Sequence, residues 1–210
     1  MKRNRRVKVR RQFESLVTQQ AVASNRVWDA PTVKDLMARN YIDRWIEEPL
    51  LLEVQKGILV DLKTALPQLL LKAIAWAEAQ AAQISSSGRS LDEGEVELAR
   101  RVSVARPERV RVALVDALTL PEDPELRAAA LQTGLLGPGM VGLTLGQSIF
   151  IRRGYETKRL LSHELRHVHQ YEQAGSIAGF LPGYLQQIVL VGYADAPLEQ
   201  DARAHEVADL

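Results

Sequence analysis

The sequence predicts an α+β protein: a small β-sheet packed on one central helix and on further helices, with a mainly helical N-terminal region ahead of it. Three observations carry that reading. Apolar residues recur at helical spacing over residues 12–83, among them Leu50, Val54, Ile58, Leu62, Leu66, Leu69, Leu70 and Trp76. The segments 109–115 and 143–152 have strand character. The stretch 156–173 then shows the apolar-polar spacing of a half-buried helix.

Along the chain, seven basic residues fall in the first eleven positions: Lys2, Arg3, Arg5, Arg6, Lys8, Arg10 and Arg11. Gln12-Phe13-Glu14-Ser15 is polar, so no secretory h-region follows, and the expected compartment is cytoplasmic. Residues 1–11 read as a disordered, solubilising tail. An arm for nucleic acid or an anionic surface is the alternative, but no aromatic residue is interleaved with the charges to favour it. Within 12–83, Thr32-Val33-Lys34-Asp35 suits a helix start after Pro31, and Pro49 and Pro67 divide the later apolar segments.

Ser85-Ser86-Ser87-Gly88-Arg89 predicts a linker over 84–89, leaving 90–210 as a second region. There Ser90-Leu91-Asp92-Glu93 reads as a capping box opening a helix through Val102. A strand at 109–115, a turn at Pro121-Glu122-Asp123-Pro124 and a short helix over 125–132 follow. Gly134, Gly137, Pro138 and Gly139 make a loop before the β segment. Helices are expected over 156–173, over 176–190 despite Pro182, and from Pro197 onward.

Hydrophobic residues at 46% and charged residues at 25% of 210 are ordinary globular values. A formal net charge of +1 argues against steering of the whole molecule to a polyanion. The chain has no cysteine, which excludes disulfides and thiolate metal ligands. Its longest apolar stretch, 65–77, is broken by Pro67, Gln68 and Lys72 and is too short and polar to span a bilayer.

The chemistry concentrates in His163-Glu164-Leu165-Arg166-His167, an H-E-x-x-H motif on a predicted helix. Histidines four residues apart lie one turn apart on the same face and can occupy two corners of a tetrahedral zinc site. Glu164 falls beside the open position, where its carboxylate can take a proton from the attacking water. Of four histidines in the chain, three lie within seven residues. His169 points to the other side of the helix and is expected to pack or face solvent.

For a third ligand, a metzincin would continue with Gly at 170 and His at 173; Gln170 and Gln173 stand there instead. The best candidate is Glu199, 32 residues after His167 and in the first turn of the helix that Pro197 opens. The bland role for an acid there is to complement the helix dipole. Asp201 and His205 are the fallback ligands. Tyr193, His205 and, more remotely, Tyr155 are candidates for a second donor to a developing oxyanion. The strand at 148–152 could bind substrate main chain by edge pairing, or could simply be a sheet strand covering the core.

The run Gly142-Leu143-Thr144-Leu145-Gly146-Gln147-Ser148-Ile149-Phe150-Ile151, followed by Leu161-Ser162-His163-Glu164-Leu165-Arg166-His167-Val168-His169-Gln170-Tyr171, resembles the uncharacterised bacterial minimal gluzincin-type metallopeptidase domains. Those pair a T-L-G…I strand with an H-E-L-x-H-V-x-Q helix and add a P-x-E segment, matched here by Pro197 and Glu199. The resemblance covers about residues 100–210. It implies a zincin-like domain with zinc on His163, His167 and Glu199, and Glu164 as general base. Larger gluzincins carry an acid four residues after the ligand glutamate, supporting a histidine. Arg203 stands at that position here, which leaves Asp195 or Asp201 for that service.

The expected activity is zinc-dependent hydrolysis of peptide bonds in a peptide or protein substrate. The alternative is a zinc-binding, non-catalytic module whose N-terminal helices bind a partner. The intact Glu164 favours catalysis, since a structural metal site has no need of a base there.

Overall fold

A computed structural model describes residues 60–137 and 139–208, which lie in a compact unit spanning Ile58–Leu210. The expectations for the basic tail and for helices over 12–59 lie outside the described residues, as does Pro138. What is described is α+β, with six α-helices and one three-stranded mixed sheet.

Helix α1 (Leu62–Ser85) starts at Asp61, whose carboxylate accepts from Lys63 N and from the Thr64 hydroxyl. It runs through Pro67 rather than ending there. Pro67 is the sixth residue of the helix, so the missing N–H removes one bond close to the end. Leu69, Ala73, Ala77 and Ile84 form its buried face. The Ser-rich stretch after it is a tight turn inside the unit: Gly88 N bonds Ile84 O, and Arg89 exchanges backbone bonds with Val112. Helix α2 (Glu93–Arg101) is capped by Asp92 and Glu95, two residues later than the box expected at Ser90. The Arg89–Val112 bridge and the Arg89–Glu95 ion pair hold the preceding residues in extended chain.

Strand β1 (Arg111–Val115) is followed by α3 (Pro124–Thr133), which ends at Gly134 with φ 77°. The β segment is a hairpin, β2 (Gly142–Leu145) and β3 (Ser148–Arg152), turning at Gly146, whose φ is 66°. Strand order is β1-β3-β2, with β1 parallel and β2 antiparallel to β3. Strand β3 is therefore central and has no free edge, which corrects the expectation that 148–152 pairs with substrate. The outer strand on that side is β2.

Side-chain alternation gives the sheet two covered faces. Val112, Ile149 and Ile151 pack with Leu98 and Val102 of the α2 segment and with Leu161, Leu165 and Val168 of α4 (Lys158–Ala174). Leu145 and Phe150 face the other way, onto Ala77 and Ile84 of α1 and Phe180 and Leu181 of α5 (Ile177–Val191). Helix α5 also carries a proline, Pro182, at its sixth position. Helix α6 (Pro197–Ala204) closes the described fold against α4. No single helix among the described residues is long and apolar enough to cross a membrane.

Candidate metal centre

Helix α4 is capped at both ends, by the Thr157 hydroxyl at Leu160 N and by left-handed Gly175. Almost its whole middle is buried. Leu161, Leu165 and Val168 fill the core face, and a second stripe presents His163, His167 and Gln170 at helical spacing. Pro197 opens α6, and Glu199 in its first turn turns its carboxylate to that stripe.

His163, His167 and Glu199 are all buried and bring one ligand atom each to within 4.8 Å of the others. His163 Nε2 lies 3.2 Å from His167 Nε2 and 3.5 Å from Glu199 Oε2. His167 Nε2 lies 3.2 Å from Glu199 Oε1. A tetrahedron of bonds about 2.05 Å long has edges of about 3.3 Å, so the three donors have the spacing of one metal's ligands.

The surrounding hydrogen bonds fix which nitrogens face inward. His163 Nδ1 donates to Glu206 Oε1 at 3.1 Å, and His167 Nδ1 donates to Gln170 Oε1 at 2.8 Å. The Gln170 amide is itself oriented, since Nε2 donates to Asp201 Oδ2 and to Leu198 O. Asp201 is held in turn by the Arg166 guanidinium at 2.7 and 3.0 Å. With Nδ1–H spent outward on both rings, two Nε2 lone pairs and a carboxylate converge on one point. Such a point calls for a cation, and the group can hold a metal ion.

Electrostatics agree. Burial opposes the charged form of His163, but the Glu199 bond and the charges of Glu164, Glu199 and Glu206 outweigh it, so its pKa is raised. Burial likewise works against ionised Glu199, which is 1% exposed, yet its bonds to both histidines and to Tyr184 hold it well below the usual carboxylate range. Tyr184 donates to Glu199 Oε1 at 2.8 Å, and Arg203 approaches Oε2 at 3.4 Å.

Glu164 lies beside the cluster on the other side of α4's stripe. Alternation along β2 sends Gly142 and Thr144 to that carboxylate and Leu143 and Leu145 away from it. The Thr144 hydroxyl donates to Glu164 Oε2 at 2.7 Å. Burial raises the Glu164 pKa, with His167, His163 and Thr144 pulling it back.

The predicted ligands therefore come together, and the fallbacks do not. Asp201 is engaged by Arg166 and Gln170, and His205 Nδ1 bonds Asp201 O. His169 bonds Ser103 O on the far side of α4, as its spacing predicts. Tyr193 lines a cavity beside Glu199, whose charge it feels, whereas Tyr155 is exposed with Arg152 over its ring. The acid that supports a histidine is Glu206, not Asp195; Asp201 acts through Gln170. Glu206, Gln170, Tyr184, Thr144 and Gly142 escaped the reading of the sequence. Gln170 had a usable signal, being three residues after His167 on a helix, and Thr144 stood in the T-L-G run. No family model, curated protein or solved structure matches the chain.

Proposed function

We propose that the chain is a zinc-dependent peptidase. The observation that carries this reading is a buried, hydrogen-bonded Glu164 carboxylate beside three convergent donors with the spacing of a tetrahedral zinc site. Zinc on His163, His167 and Glu199 would supply Lewis acidity to the scissile carbonyl and acidify the attacking water.

The residues divide the remaining work. Glu164, with Oε2 held by Thr144, has Oε1 to receive the water proton as the water oxygen bonds to the carbonyl carbon. The carboxyl then gives that proton to the amide nitrogen as the C–N bond breaks, leaving a carboxylate and an amine. Burial raises its pKa above the ordinary carboxylate value, the direction that suits a group which must both take and return a proton. Glu206 and Gln170 hold the two imidazoles in the tautomer that ligates. Burial and the neighbouring Glu199 keep the Tyr193 phenol protonated, and we assign it as the second donor to the carbonyl oxygen.

The test is zinc content of wild type, His163→Ala and Glu199→Ala, with cleavage of a mixed peptide library by wild type and Glu164→Gln. One zinc per chain, lost in both ligand variants, and cleavage abolished in a zinc-loaded Glu164→Gln are expected. Zinc without cleavage by wild type would overturn the peptidase; no zinc would overturn the metal centre.

A further inference from the structure

Beside the metal centre lies a cavity of about 130 Å³ whose wall includes Glu164, His167 and Glu199. Away from that end the lining is mostly apolar: Trp76 from α1, Ala130 from α3, Leu143 from β2, and Leu181 and Ile188 from α5, with Thr133 the polar exception on α3. No other charged side chain lines it. We propose that this cavity receives one large apolar side chain of the substrate, of leucine to phenylalanine size, next to the bond being cut. The inference rests on the peptidase reading and names the substrate class of that site.

Three features argue for this occupant. The cavity opens on the group that would bind the scissile carbonyl, so its occupant is covalently adjacent to the reacting atoms. A cavity of roughly 150 Å³ lined by aliphatic and aromatic residues accepts a benzene, so this volume fits a four-carbon branched chain or a phenyl ring. A charged side chain would lose its hydration there and meet no partner except the centre's own carboxylates and imidazole. The wall draws on five helices and β2, so most of its shape is set by the packed fold, with Leu135, Leu136 and Met140 adding apolar surface from the loop before β2.

Binding tests this without requiring turnover. Four short peptide hydroxamates, differing only in whether the side chain beside the chelating group is Leu, Phe, Ala or Asp, are titrated calorimetrically into full-length, zinc-loaded protein. Burial of the additional carbons predicts that the Leu and Phe ligands bind roughly 10- to 100-fold tighter than Ala, and Asp no tighter than Ala. Ala130→Leu, which adds bulk to the wall, should bring the Leu ligand down to the Ala value and leave the Ala ligand unchanged. Equal binding of Leu and Ala ligands by wild type would overturn the cavity assignment while leaving the peptidase reading standing. Failure of all four to bind a protein carrying one zinc would overturn both. The wild-type series decides even where Ala130→Leu does not fold.

Discussion

Gly142 lies so close to Glu164 that a Cβ placed on it would come within 2.2 Å of Oε1 and 2.8 Å of Cδ. The backbone of β2 thus supports the carboxylate from one side while the Thr144 hydroxyl holds Oε2. Leu160 Cδ1, 3.0 Å from the same point, limits any sideways escape. Gly142→Ala should therefore displace the Glu164 carboxylate and leave His163, His167 and Glu199 in place. The expected outcome is a fall in kcat of about 100-fold, the scale of a roughly 1 Å misplacement, with zinc stoichiometry unchanged. Peptide cleavage and metal analysis on the same preparation check it; wild-type kcat in the alanine variant would refute the close approach.

Glu206 acts through His163. It accepts from Nδ1 and so determines that Nε2 faces the metal point. Glu206→Ala should weaken zinc binding by about 10- to 100-fold, the usual effect of removing such a partner. Asp195→Ala, at a residue with no bond to either histidine, should leave affinity unchanged. Competition against a chelator of known affinity measures both. Equal affinities in wild type and Glu206→Ala would remove Glu206 from the site.

This pair of acids shows where the sequence stops being legible. The ligands could be read because a helix converts spacing into direction: His163 and His167 must share a face, and Pro197 places Glu199 in a first turn. Glu206 lies beyond the end of α6, where no periodicity applies, and its bond to His163 spans 43 residues. Tyr184 reaches Glu199 only because α5 folds back, at a bend of 115° from α4. The expected edge pairing at 148–152 failed for a similar reason. A short run of β-branched and aromatic residues identifies β3 as a strand, but only the parallel pairing with β1 makes it central and leaves β2 at the edge among the described residues. The cap of α2 shows local signals in competition: Ser90 and Asp92 both fit, and the tertiary bridge between Arg89 and Val112 favours the later start.

Asp123 links the N-cap of α3 to α1, accepting from Leu126 N and from Lys72 Nζ at 2.8 Å. The Lys72 bond, followed by the cap bond, lowers its pKa. A carboxylate whose folded pKa lies below its unfolded value of about 3.9 stabilises the fold above that pH, and the contribution is lost as pH falls through the folded value. Asp123→Asn keeps a capping oxygen and removes the charge. At pH 7 it should cost about 0.5 kcal/mol, the pair being largely solvent-screened, and the difference from wild type should shrink as pH drops below about 4. Asp123→Ala removes the cap as well and should cost about 1 kcal/mol more. Urea unfolding at pH 7 and pH 3 checks both; a difference that grows towards pH 3 would contradict the sign.

Helix α1 lies on the N-terminal side of the Ser-rich turn, yet it packs into the same unit and lines one cavity with His167 and Glu199 of the candidate metal centre. Leu69 and Ala73 pack with Leu126 and Ala129 of α3, while Ala77 and Ile84 pack with Phe180 and Leu181 of α5. Burial of each large aliphatic side chain contributes about 1.5–3 kcal/mol. Losing α1 removes several of these and uncovers their partners, a loss comparable with the whole stability of a domain, about 5–15 kcal/mol. A fragment beginning at Ser90 should therefore show no cooperative thermal transition by circular dichroism and no zinc retention. A fragment beginning at Ile58 should melt cooperatively and bind one zinc. A sharp transition in the shorter fragment, within a few degrees of the longer one, would show that α1 is a removable cover rather than part of the core.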